Sequence, residues 1–86
     1  MKNDYKIILK QSVQKDLDKL PDKEFEKIIV KLRLLSDNPR PLGVQKLSDD
    51  EGYRIRSGNY RILFIIDDKM NKVYVYRVKH RKEAYR

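Results

Sequence analysis

Between positions 53 and 66 the chain has one strongly favoured conformation. Tyr53-Arg54-Ile55-Arg56 and Tyr60-Arg61-Ile62-Leu63-Phe64-Ile65-Ile66 are strand-forming runs that flank Ser57-Gly58-Asn59, and Gly58-Asn59 suits a two-residue hairpin loop. That loop sets the register: Ser57 faces Tyr60, Arg56 faces Arg61 and Arg54 faces Leu63. Side chains alternate across a sheet, so Arg54, Arg56 and Arg61 share one face. Tyr53, Ile55, Tyr60, Ile62, Phe64 and Ile66 share the other and are expected to pack on helices.

The segments around the hairpin complete a small mixed architecture. Tyr5, Ile7 and Leu9 alternate with Lys6, Ile8 and Lys10, which predicts a first strand. Ser12 is a good N-cap for a helix carrying Val13, Leu17 and Leu20, which Pro21 stops. Asp22 can cap a second helix with a buried stripe of Phe25, Ile28, Ile29, Leu32 and Leu35, ended by Asn38-Pro39-Arg40-Pro41. Residues 36–52 read as loop, with Val44 to Leu47 packing on the core. Asp67 to Asn71 is a turn and Lys72 to Lys79 a last strand. The expected fold is α+β, in the order β-α-α-β-β-β, with an antiparallel sheet packed on an N-terminal αα-hairpin. Residues 1–86 form one domain in this reading, as the length suggests.

Charge is distributed unevenly along this scaffold. Residues 1–52 carry a net +1 and residues 53–86 a net +7, and six of the eight arginines lie in the second stretch among five tyrosines. Arginine presents a planar fork of donors that fits phosphate oxygens, and tyrosine presents a face on which bases stack. Opposed like charges on a hairpin are destabilising, and only Asp67, Asp68 and Glu83 are available as acids after residue 52. An anion site on the face of Arg54, Arg56 and Arg61 is therefore expected, with RNA or DNA as its first candidate ligand.

Several other chemistries find no support. Cysteine is absent, and a lone histidine, His80, falls far short of a metal site. The three glycines stand apart and form no phosphate loop. Neither cofactor nor metal is expected. No apolar run approaches the roughly 20 residues that span a bilayer, and Met1-Lys2-Asn3-Asp4 is no signal peptide, so the expected location is the cytoplasm. His80, the one histidine, is the candidate accessory group in the site.

Taken together, the order strand, αα-hairpin, Asn38-Pro39-Arg40-Pro41, the block Tyr53-Arg54-Ile55-Arg56-Ser57-Gly58-Asn59-Tyr60-Arg61-Ile62-Leu63-Phe64 and the ending Val78-Lys79-His80-Arg81-Lys82-Glu83-Ala84-Tyr85-Arg86 resemble the RelE/ParE toxin superfamily. The likeness is greatest to its RelE branch of ribosome-dependent mRNA interferases. It implies a fold resembling microbial ribonucleases, a cognate antitoxin with which the toxin forms a hetero-oligomer, and action on mRNA in the ribosomal A site. The resemblance carries the family's site residues onto Arg54, Arg56, Arg61, Arg81 and Tyr85. It implies attack by a 2′-hydroxyl on the adjacent phosphate, leaving a 2′,3′-cyclic phosphate and a 5′-hydroxyl. Some members carry lysines where this chain has Arg54 and Arg56, and arginine is the poorer proton acceptor. The general base is left among His80, Tyr85 and an rRNA group. The superfamily also holds ParE-like toxins that poison DNA gyrase without nuclease residues. A degenerate member that only binds its antitoxin is a third alternative.

Overall fold

The computed structural model describes residues 4–47 and 52–84. In chain order the elements are β1 (Lys6–Leu9), α1 (Gln11–Asp18), α2 (Asp22–Asp37), β2 (Gln45–Lys46), β3 (Tyr53–Ser57), β4 (Tyr60–Asp67), β5 (Lys72–His80) and α3 (Arg81–Ala84). The five strands form one sheet in the order β1-β5-β4-β3-β2. No helix among the described residues is long and apolar enough to cross a membrane.

The α+β architecture agrees with the sequence reading, and the sheet is antiparallel from β2 to β5. Its other edge differs: β1 runs parallel to β5, pairing Ile7 with Val73 and Leu9 with Val75, so the sheet is mixed. Parallel neighbours cannot be joined by a tight turn, and here α1, α2 and three strands intervene along the chain. Backbone bonds from Lys6 N–H to the Asn71 carbonyl (2.8 Å) and from Lys10 N–H to the Val75 carbonyl (3.0 Å) extend this ladder at both ends.

The hairpin register is the expected one: Arg54 faces Leu63, Arg56 faces Arg61 and Ser57 faces Tyr60. Gly58 adopts φ +60° and Asn59 stays out of the left-handed region, the pattern of a II′ turn with glycine first. Ile55, Ile62 and Phe64 are buried on the opposite face against Val13 and Leu17 of α1 and Ile28, Leu32 and Leu35 of α2. Each fully buried side chain of this kind contributes about 1.5–3 kcal/mol.

Several local expectations are corrected. Ser12 does not cap α1, which starts one residue earlier. Its Oγ donates instead to the Tyr76 carbonyl at 2.8 Å, tying the helix to β5. Asp22 lies inside α2, and Pro21 occupies the capping position. Phe25 is 40% exposed, because the buried stripe of α2 narrows to Ile28, Leu32 and Leu35. Val44 packs on the core as expected, while Gln45 and Lys46 form the short edge strand β2 beside Tyr53 and Arg54.

A bulge breaks the β4–β5 ladder between Leu63 and Phe64: Leu63 faces Arg77, whereas Phe64 faces Val75. Tyr76 is the extra residue on β5. The buried valines accordingly run Val73, Val75, Val78, changing from a spacing of two to a spacing of three.

Candidate nucleic-acid interface

The arginine face is built by the hairpin and closed at one edge by the segment before it. Arg54, Arg56 and Arg61 line a cavity of about 360 Å³ together with Gly43 and Gln45. Arg54 donates through Nη2 to Gln45 Oε1, so β2 contributes a neutral acceptor that holds this guanidinium in place. Arg61 is only 5% exposed although it is charged, whereas Arg56 is open to solvent. Here the site concentrates arginine forks that suit the two oxygens of a phosphate.

Register adds a residue that the sequence reading missed. Lys79 stands directly opposite Arg61 on β5, so Arg56, Arg61 and Lys79 form one row across three strands. The signal was present in the valine spacing, because a bulge at Tyr76 puts Val78 inward and Lys79 on the arginine face. Gln45 was missed too, having been read as loop.

The remaining expected residues fall elsewhere. His80 faces Tyr60, with ring centroids 5.2 Å apart in an edge-to-face contact, and Tyr60 packs on the core side of the sheet. His80 is therefore turned away from Arg61. It lines a separate cavity of about 140 Å³ with Asp16, Lys19, Leu20, Tyr60, Arg77 and Val78. Its Nδ1 accepts from the Lys82 backbone N–H at 3.2 Å. Arg81 opens α3, and its N–H donates to the Asn59 carbonyl at 2.7 Å, which pins the C-terminal segment to the hairpin turn. Its side chain is exposed and does not line the arginine cavity. Tyr85 lies outside the described residues.

Not every cation of the basic half is available to a ligand. Arg77 Nε donates to Asp16 Oδ2 at 3.0 Å, and the Val78 N–H donates to the same oxygen at 2.9 Å. This acid comes from α1, far away in sequence. A second ion pair anchors the loop ahead of β2. Arg40 grips Asp68 with both terminal nitrogens, at 3.2 and 2.9 Å, and Tyr5 Oη donates to Asp68 Oδ1 at 2.7 Å. The hydrogen bonds from Arg40 and then Tyr5 hold the Asp68 carboxyl below the usual carboxylate range. Arg40 and Lys46 also lie over the Tyr53 ring, at 5.4 and 5.0 Å from its centroid, and Tyr53 stacks on Phe64.

The chain is a type II toxin and belongs to the ParE toxin family of type II toxin–antitoxin systems (parDE), whose family model matches residues 7–85. Toxin RelE of Mycobacterium tuberculosis is 30% identical over 84 residues, covering 95% of this chain and 87% of that one. Toxin RelG of the same organism is 31% identical over 84 residues, covering 95% and 97%. The fold is also similar to the archaeal RelE–RelB complex of Pyrococcus horikoshii, with a TM-score of 0.81 and 25% identity over 90% of this chain and 94% of that chain.

Proposed function

We propose that this toxin is a ribosome-dependent mRNA interferase that stops translation by cutting mRNA in the A site. The observation that supports it best is the row Arg56–Arg61–Lys79 beside a cavity sized for a phosphate and sugar, with Arg61 nearly buried. In the reaction the 2′-oxygen forms a bond to phosphorus and the bond from phosphorus to the 5′-oxygen breaks. A proton leaves the 2′-hydroxyl and another reaches the leaving oxygen, giving a 2′,3′-cyclic phosphate and a 5′-hydroxyl.

Arg61 holds the scissile phosphate and stabilises the charge that grows on it, where a desolvated donor is worth most. Arg54 and Arg56 orient the strand. Lys79 carries a proton that an ammonium can give to the leaving 5′-oxygen, and Arg81 assists from the rim. The side-chain direction of His80 favours Tyr85 or an rRNA group as the acceptor of the 2′-hydroxyl proton. Tyr85 further stacks on the substrate base. We take residues 1–86 as one toxin domain, and a cognate antitoxin as its partner in a hetero-oligomer, by analogy with the RelE–RelB complex.

The ParE description of the family favours a second reading, a toxin that poisons DNA gyrase. That activity has no need of a nearly buried arginine. Translating a defined mRNA in a purified system with the toxin and analysing the new ends tests the choice. Cyclic-phosphate 3′ ends are expected, and intact mRNA would overturn the nuclease reading.

A further inference from the structure

A second cationic surface adjoins the arginine cavity, and it comes from the half of the chain with almost no net charge. β2 pairs only with Tyr53 and Arg54, so the end of β3 is flanked by α2. Between them lies a groove of about 550 Å³, bordered on α2 by Lys23, Lys27 and Lys31, on β3 by Arg56 and Ser57, and at the hairpin turn by Gly58. Val30, 56% exposed, is among its apolar lining; among the described residues Glu26 is the acid that lines it, and Glu24 Oε2 lies beside Gly58. Lys27 makes only a long contact with Glu24, 3.8 Å, and its side chain is 59% exposed.

Two features relate this groove to RNA. Arg56 lines both the groove and the arginine cavity, which makes the two continuous. The three lysines follow one another at four-residue intervals, about 6 Å apart along the helix axis, close to the distance between successive phosphates of a single strand. Lysine stems cover apolar surface while their ammonium groups reach solvent, which suits a sugar–phosphate backbone passing over the groove.

We propose that Lys23, Lys27 and Lys31 form a track for the backbone of the single-stranded mRNA that flanks the phosphate held by Arg61. This rests on the mRNA interferase reading. The track binds by its match to phosphate charge and spacing, without regard to base, and lengthens the strand that the toxin grips beyond the cut codon.

The test compares the full-length toxin with a Lys23→Gln/Lys27→Gln/Lys31→Gln variant, whose substitutions keep good helix formers at two exposed positions and one half-buried position. Binding to a labelled oligouridylate of about twelve nucleotides is measured across a salt series, beside a trinucleotide and a polyglutamate. Each phosphate contact on a single strand adds about 0.7 to the slope of log K against log salt, so the long RNA should lose about 2 in slope. The trinucleotide, too short to leave the arginine cavity, should bind as before. An unchanged slope for the long RNA overturns the track. Equal losses for polyglutamate and RNA also overturn it, in favour of an acidic protein partner. Cleavage of ribosome-bound mRNA by the unsubstituted toxin is scored in parallel. If that cleavage is absent while the slope still falls, the nuclease reading fails and RNA binding by the ridge stands.

Discussion

Arg61 and Lys79 are register partners across β4 and β5, with Arg56 opposite Arg61 on its other side. Directly opposed cations weaken a sheet, by a few tenths to about 1 kcal/mol a pair. An anion bound on that face offsets this repulsion, because it attracts every cation of the row. The row is therefore expected to tighten when a phosphate occupies it.

Arg61→Ala should lower mRNA cleavage by about 10²–10³, the usual cost of removing one preorganised donor. The fold should survive, since Arg61 stands on the sheet face opposite Ile62 and Phe64, which pack on the helices. Thermal melts close to the parent, together with lost cleavage, are the expected pair of results. Full activity in Arg61→Ala would remove the residue from the site.

Lys79 and His80 are neighbours on opposite faces and should separate cleanly. Lys79→Ala is expected to cost about 10²–10⁴ in cleavage if its proton reaches the leaving oxygen. His80→Ala should leave cleavage near the parent rate, because its ring lies against Tyr60 behind the sheet. Single-turnover rates on ribosome-bound mRNA check both, and a dominant effect of His80→Ala would reverse the assignment.

Asp16→Ala should destabilise the fold by about 1–3 kcal/mol. The substitution leaves the Val78 N–H without its acceptor and takes the carboxylate from Arg77. Chemical denaturation measures the loss directly. A midpoint equal to the parent's would show that this ion pair is not holding α1 to β5.

The Asp68 carboxyl links stability to acidity. Its folded pKa lies below the usual carboxylate range, chiefly through the hydrogen bond from Arg40. A depressed acid contributes stability above its unfolded pKa and loses it as the pH falls through the folded value. Melting temperatures should therefore drop below about pH 4, and Asp68→Asn should flatten part of that acid limb while lowering stability at neutral pH. Parallel acid limbs for both proteins would contradict the linkage.

What the sequence disclosed follows from the range of the interactions involved. The hairpin register and the common face of Arg54, Arg56 and Arg61 are local, set by Gly58-Asn59 and strict alternation. The direction of β1 is not, because its partner β5 comes only after two helices and three further strands. Lys79 was hidden by one bulged residue, which shifts every later side chain on β5 to the opposite face. The pairing of Asp16 with Arg77 and the approach of the α2 lysines to Arg56 join segments distant in sequence, where charge counts by segment carry no geometry. Ser12 was misread because a good capping residue also bonds well to a neighbouring strand.

The most direct measurement is a primer-extension map of an mRNA translated in vitro with the toxin or with Arg61→Ala, beside a gyrase supercoiling assay. The account predicts cuts within codons at the A site for the unsubstituted toxin, none for Arg61→Ala, and unaffected supercoiling. Intact mRNA accompanied by inhibited supercoiling would contradict it.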